Sequence, residues 1–257
     1  VRVGLMALSG VRVRNEKLAK LGVTLPQFVS RGKVIAQLPS LSLLIIAAAT
    51  PADIDVDYVE VPDVQQLTDP ELGYELVAIT SYSAQIFEAY ELARRYRAAG
   101  VPVVLGGPHV TALPEEAGQH ADAVAIGEAE SLWPRILADF KKKGLQPVYR
   151  EDQPGSFDLS RSAMPRYDLL DPAEYNRITV QTSRGCSHDC GFCAGSKLFG
   201  KGFRQKPVAL IVKEIEAIKE RWPKPFIEFA DDNTFVDKEW SREFLKALVP
   251  LEVKWFA

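Results

Sequence analysis

Three cysteines are the whole cysteine complement of the chain, and they fall in one short run, Cys186-Ser-His-Asp-Cys190-Gly-Phe-Cys193. Thiolates so close in sequence are soft ligands for a shared metal centre. A CxxxCxxC run supplies three sulfurs where such a centre takes four ligands, so one coordination position is left for a substrate or cofactor. Core packing does not account for the run, because Gly, Ser, His and Asp surround the thiols and set no apolar pattern. The odd number of cysteines, and a start that does not read as a signal peptide, argue against disulfides. Structural zinc is the competing reading. It asks for a fourth Cys or His at short spacing, and His188 lies between the cysteines, where its reach to the same ion is awkward.

The run follows directly on a strand-like segment, Arg177-Ile-Thr-Val-Gln-Thr182. Beyond it, Val208, Ile211, Val212, Ile215 and Ile218 recur at helical spacing. Pro225-Phe-Ile-Glu-Phe-Ala230 reads as a strand ending in Asp231-Asp232-Asn233; a helix over 238–248 and a third strand over 252–256 follow. Three strands with two helical crossovers are the opening of an α/β barrel. Barrels place their chemistry at the carboxyl ends of strands, where Cys186 and Asp231 fall.

The first half alternates strands and helices. Strands are expected over 1–6, around Ile54, Val56 and Tyr58, and over 76–80, 101–105 and 122–126. Helices are expected over 41–49, after a long loop, and over 84–98, with a further helix fading at Lys141-Lys-Lys-Gly144. Five short apolar strands with helical crossovers imply a parallel, doubly wound sheet of Rossmann-like α/β type. Ligands bind outside the carboxyl ends of such strands. The turns there are Thr80-Ser81-Tyr82-Ser83, Gly106-Gly107-Pro108-His109-Val110-Thr111 and Gly127-Glu128-Ala129-Glu130. Glycines permit close approach to the backbone and hydroxyls bond polar groups; a plain tight turn accounts equally well for Gly106 and Gly107. No GxxxxGK and no GxGxxG after the first strand is present, which disfavours nucleotide hydrolases and Rossmann dehydrogenases.

Pro147, Pro154, Gly155, Pro165 and Pro172 interrupt every helix that could form over 145–175, so the expected division is a first domain over 1–144, a linker over 145–175 and a second domain over 176–257. The 257 residues, 47% hydrophobic and 25% charged, are enough for about two cores. A net charge of -3 argues for neither a nucleic-acid nor a membrane partner. The longest apolar stretch, Leu41–Ala49, is far short of the roughly 20 residues that cross a bilayer. A cytoplasmic protein is expected.

The cysteine loop, with Phe192 before its last cysteine and a first barrel strand before it, resembles the signature of the radical S-adenosylmethionine superfamily. Gly106-Gly-Pro-His-Val-Thr-Ala-Leu-Pro-Glu-Glu116 and Ala121-Asp-Ala-Val-Ala-Ile-Gly-Glu-Ala-Glu130 resemble the cobalamin-binding domain of its cobalamin-dependent members. Gln181-Thr-Ser-Arg-Gly-Cys186 and Phe229-Ala-Asp-Asp-Asn233 resemble their barrel segments. The resemblance implies a 4Fe-4S cluster on Cys186, Cys190 and Cys193, its fourth iron completed by S-adenosylmethionine. It implies cobalamin contacts at Thr80, Ser81, Ser83, Gly106, Gly107, His109, Thr111, Gly127 and Glu128. For S-adenosylmethionine it implies Phe192 against the adenine, Asp231 and Asp232 on the ammonium, and Arg204, which with Arg184 flanks the cysteine loop, on a carboxylate of the cofactor or of the protein. The DxHxxG motif of histidine-ligated cobalamin is absent, so His109 is expected to pack or hydrogen-bond instead. The later barrel strands are missing, so a C-terminally truncated fragment is expected. The implied activity is reductive cleavage of S-adenosylmethionine to a 5'-deoxyadenosyl radical and methyl transfer to an unactivated carbon of a small-molecule or peptide substrate, with an external flavodoxin or ferredoxin as donor. Radical cyclisation or rearrangement, a non-catalytic cobalamin-binding module, and a ferredoxin-like carrier are the alternatives.

Overall fold

The apolar runs of the first half form one six-stranded, all-parallel sheet in this computed structural model, which describes residues 1–8, 38–61, 63–67, 73–188, 190–198 and 202–257. Its strands are β1 Arg2–Ala7, β2 Asp55–Glu60, β3 Leu76–Thr80, β4 Val103–Gly106, β5 Ala123–Ile126 and β6 Val148–Arg150, in the order β2-β1-β3-β4-β5-β6. The interior strands β3, β4 and β5 are almost continuously apolar because helices cover both faces of the sheet. Strand order reverses between β1 and β3, and ligand crevices of doubly wound sheets open at such a switch point. The long loop expected after β1 lies outside the described residues.

Helices α1 Leu41–Ala48, α2 Ile86–Ala98, α3 Pro108–Ala112, α4 Pro114–Ala117 and α5 Ala129–Lys141 connect these strands. One face of the sheet packs on Leu43, Ile46 and Ala47 of α1 and Leu132, Trp133, Ile136 and Leu137 of α5. The other packs on Ile86, Ala89, Leu92, Ala93 and Tyr96 of α2.

Five strands were expected in this sheet, and β6 is a sixth. It lies inside the segment read as a linker, pairing Val148, Tyr149 and Arg150 with Val124, Ala125 and Ile126. Its backbone ladder and the fully buried Tyr149 hold it there, not an apolar repeat. Further along the same segment, Tyr167, Leu170 and Tyr175 are buried in the second core. The prolines do exclude α-helix from it, leaving only 3-10 turns at Leu159–Arg161, Tyr167–Leu169 and Pro172–Glu174.

The second half builds a parallel sheet of β7 Ile178–Val180, β10 Phe226–Phe229 and β11 Lys254–Phe256, in the order β11-β10-β7. Between β7 and β10 stand a two-residue antiparallel ladder of β8 Ser183–Arg184 with β9 Arg204–Gln205, the short helix α6 Gly195–Leu198, and α7 Val208–Arg221; α8 Lys238–Leu248 leads to β11. Ile211, Ile215 and Ile218 put one stripe of α7 against Ile178, Val180, Ile227 and Phe229, as their spacing predicts. Asp237 caps α8 by accepting from the backbone N–H groups of Glu239 and Trp240 at 2.9 and 3.0 Å.

Helix α1 has no polar face, and a helix apolar all round must be covered all round. Leu43, Ile46 and Ala47 join the first core, while the fully buried Leu44 belongs to the second. Leu44→Ala is therefore expected to cost about 2–5 kcal/mol, and urea unfolding should show both domains weakened together. Among the described residues no helix is long and apolar enough to cross a membrane.

Candidate cofactor site

The cysteine loop rises from the β8/β9 ladder at the carboxyl end of β7. Cys186 and Cys193 are half-buried, Cys190 is exposed, and all three thiols are free. The Cys193 N–H donates to the Cys190 carbonyl at 2.9 Å, which folds the loop back on itself. The turn after β10 lies against this loop. The Asn233 amide Nδ2 is 3.9 Å from Cys186 Sγ, and a Cβ on Gly195 would sit 3.3 Å from Asp232 Oδ1 and 3.6 Å from Cys193 Sγ. Phe192 projects from the loop, 95% exposed. Among the described residues no three His, Cys, Asp or Glu side chains are grouped to hold one metal ion. A 4Fe-4S cluster takes each thiolate on a different iron, and the three free thiols match in kind and number the donors it would take from this loop.

Asp231 and Asp232 differ sharply. Asp231 is consumed by the chain itself: Oδ1 accepts from the N–H groups of Thr182 and Ser183 at 2.7 and 2.9 Å, and Oδ2 from the hydroxyls of Thr182 and Thr234 at 2.5 and 2.9 Å. Burial pushes its carboxyl above the ordinary value, and those hydrogen bonds pull it only part of the way back. Asp232 is exposed and, among the described residues, accepts from the Gly185 N–H at 3.1 Å. Of the two carboxylates, Asp232 is the one with oxygens to spare for a ligand.

The turns of the first sheet converge on the same region, and α3, after β4, packs against α6 in the cysteine loop. Gly107 has φ 100° and ψ -178°, a conformation open essentially to glycine alone. A Cβ there would lie 2.7 Å from Thr80 Oγ1 and 2.9 Å from the Ser81 carbonyl. Gly127, with φ 104°, is pressed against the Glu151 carboxylate in the same way. Both glycines thus satisfy close packing within the chain. Ser81 is buried and its hydroxyl donates to the Tyr82 carbonyl at 2.9 Å; Ser83 is exposed, and Thr111 Oγ1 accepts from the Gly127 N–H at 3.2 Å. His109 is buried, with Nδ1 2.9 Å from Ser83 Oγ and Nε2 3.5 Å from Glu116 Oε1. Among the described residues Nδ1 has the Ser83 hydroxyl as partner, while the buried Nε2 has no hydrogen-bond partner.

Glu128 and Arg204, expected to contact two different cofactors, meet each other. Glu128 Oε2 takes Arg204 Nη1 at 2.8 Å, Glu128 Oε1 takes Arg184 Nη1 at 2.6 Å, and Glu130 Oε1 takes Arg184 Nη2 at 2.7 Å. Burial pushes the Glu128 carboxyl up, but the hydrogen bond from Arg204 and the charge of Arg184 outweigh it and hold the group below its ordinary value. Arg184 also donates to Gln181 Oε1, and Arg204 to the Phe157 carbonyl. Glu151 Oε2 accepts from the Glu128 N–H at 2.8 Å and fixes the start of α5. Gln181, Glu151, Phe157 and Asn233 were not singled out as site residues; the last three act through residues far away in sequence, and Gln181 through Arg184 three positions on.

Residues 29–137 match the B12 binding domain family, so the first sheet is of the B12-binding class. The bacteriochlorophyllide d C-12(1)-methyltransferase of Chlorobaculum tepidum is 30% identical over 84% of this chain and 49% of its own length. By fold, the chain is similar to the cobalamin-dependent S-adenosylmethionine radical enzyme OxsB with aqua-cobalamin bound, with a TM-score of 0.71 and 17% identity over 99% of this chain and 38% of that one. It is also similar to the radical S-adenosylmethionine methyltransferase TsrM from Kitasatospora setae, with cobalamin and a [4Fe-4S] cluster bound; the TM-score is 0.66 and identity 14%, over 97% of this chain and 52% of that one. The chain therefore carries a region that matches a B12 binding domain and shares the fold of these two solved enzymes. It spans about half or less of the length of these relatives.

Proposed function

We propose that this chain is the cofactor-holding part of a cobalamin-dependent radical S-adenosylmethionine methyltransferase acting on an unactivated carbon. The observation that carries the reading is the meeting of two carboxyl edges: the turns after β4 and β5 stand against the loop that holds all three cysteines. A corrinoid over the first sheet and a cluster in the cysteine loop would then share one cleft. Relatives of this chain carry methyltransferase and methylase names.

Cys186, Cys190 and Cys193 would hold a 4Fe-4S cluster. When bound, these groups supply an electron, a carbon-centred radical and a transferable methyl group. The chain's own residues position them. Asp232 is the carboxylate free to take the ammonium of S-adenosylmethionine, while Asp231 shapes the strand end beneath it. Phe192 offers an exposed ring to the adenine. The Gly106-Gly107 turn and the hydroxyls of Thr80, Ser83 and Thr111 face the corrinoid, with His109 orienting Ser83. An external one-electron donor and a small-molecule or peptide substrate complete the scheme.

Two measurements on the full-length protein test it. Titration with hydroxocobalamin should show stoichiometric binding by absorbance, and methyl-labelled S-adenosylmethionine should yield labelled product. Corrinoid binding with 5'-deoxyadenosine but no methyl transfer would move the protein to radical cyclisation or rearrangement. Lack of corrinoid binding would remove the cobalamin reading.

A further inference from the structure

The stem of the cysteine loop presents an electrostatic problem. It is a ladder of only two residues per strand, with Ser183 opposite Gln205 and Arg184 opposite Arg204. Directly opposed side chains in an antiparallel pair lie about 5 Å apart at Cβ, and like charges there repel. So short a ladder has little stability of its own. Yet this stem joins the ends of the segment carrying Cys186, Cys190 and Cys193.

Its two faces are held by different domains. On the Ser183 side the anchors are local to the second domain: Asp231 takes the Thr182 and Ser183 N–H groups, and the Lys206 N–H donates to the Thr182 carbonyl at 2.8 Å. Lys206 is itself tied by a buried pair with Glu214 at 2.9 Å. On the arginine side every carboxylate partner among the described residues comes from the first domain. Glu128 spans the two arginines, one oxygen to each, and Glu130 takes the remaining nitrogen of Arg184. Side-chain exposure is 3% for Glu128, 9% for Glu130, 12% for Arg184 and 17% for Arg204, so solvent does little to screen the group. Two carboxylates face two guanidiniums here, with the buried Glu151 carboxylate behind Glu128.

Among the described residues Arg204 has no second carboxylate to fall back on. Its Nε and Nη2 are buried without a hydrogen-bond partner among the described residues, and its Nη1 holds Glu128 and the Phe157 carbonyl. Neutralising Glu128 would leave Arg204 facing Arg184 in a site poor in water, with Glu130 alone in reach of Arg184. The anchor itself is stiff: Glu128 starts α5, directly after Gly127 at φ 104°, with its N–H held by Glu151.

We propose that Glu128, assisted by Glu130, is a positioning residue of the cysteine loop: the B12-binding domain supplies the counter-charge that lets the two-arginine stem close, so the metal site of the second domain is completed by docking of the first. This rests on the reading of the cysteine loop as an iron–sulfur site. It makes cluster assembly depend on a carboxylate that is no cluster ligand.

The test uses the full-length protein as wild type, Glu128→Gln, Arg204→Gln and the double variant. In the apo forms, amide hydrogen exchange over 183–185 and 204–206 should quicken by about tenfold in E128Q. Strands β3 and β4, which belong to a different sheet from the stem, should exchange as in wild type. R204Q and E128Q/R204Q, which remove the opposed charge, should return the stem to within about twofold of wild type. On anaerobic reconstitution with iron and sulfide, bound iron should fall about threefold or more in E128Q and recover in E128Q/R204Q. Unchanged stem exchange in E128Q overturns the proposal, and so does a double variant that fails to recover, even where E128Q alone does not fold. A wild-type protein that takes up no cluster would defeat the iron–sulfur reading instead, and the apo exchange would still decide whether Glu128 closes the stem.

Discussion

Cys190→Ala is expected to abolish assembly of the iron–sulfur cluster while leaving corrinoid affinity within about twofold and stability within about 0.5 kcal/mol. Three thiolates are the entire cysteine complement of the chain, so losing one leaves a cluster two of its thiolate ligands. The fold has little stake in this side chain. Cys190 is exposed, and its carbonyl accepts from the Cys193 N–H, an acceptor that alanine also provides. Iron and labile sulfide analysis, together with a hydroxocobalamin titration of the same sample, checks both halves. Loss of corrinoid binding along with the cluster would contradict separate seats for the two cofactors.

Asp231→Ala should be the most damaging single change outside the cores, costing about 2–5 kcal/mol. Thr182 and Ser183 are fully buried, and removing the carboxylate strands their two N–H groups without acceptors. Asp231→Asn, which keeps an acceptor at Oδ1, should cost distinctly less. Asp232→Asn gives the contrast: its exposed carboxylate accepts one backbone hydrogen bond, so stability should hold within about 0.5 kcal/mol while affinity for S-adenosylmethionine falls. Urea unfolding and ligand titration of the three variants separate these roles. An Asp231→Ala protein of unchanged stability and weakened ligand binding would return Asp231 to the ligand.

What could be read from residues alone follows the range of the interactions concerned. Leu76–Thr80 and Ala123–Ile126 declare themselves as strands because every side chain in a two-sided parallel sheet is apolar, and Leu41–Ala48 declares a buried helix for the same reason. Val148–Arg150 does not: an edge strand of three residues between prolines is selected by backbone pairing, and only Tyr149 is buried. The adjacent carboxylates Asp231 and Asp232 looked equivalent, yet one faces the interior and the other solvent. Arg184 and Glu128 each stood out beside its own motif. That they are partners depends on docking across 56 residues of sequence, which local spacing does not encode.

The most direct measurement of the central claim is 5'-deoxyadenosine formation by the anaerobically reconstituted full-length protein, given S-adenosylmethionine and a strong reductant, with corrinoid content read on the same sample. The account predicts reductant-dependent deoxyadenosine, absent in Cys190→Ala, from a protein carrying both a cluster and a corrinoid. A protein that retains zinc on its cysteines through purification, assembles no cluster and forms no deoxyadenosine would contradict it.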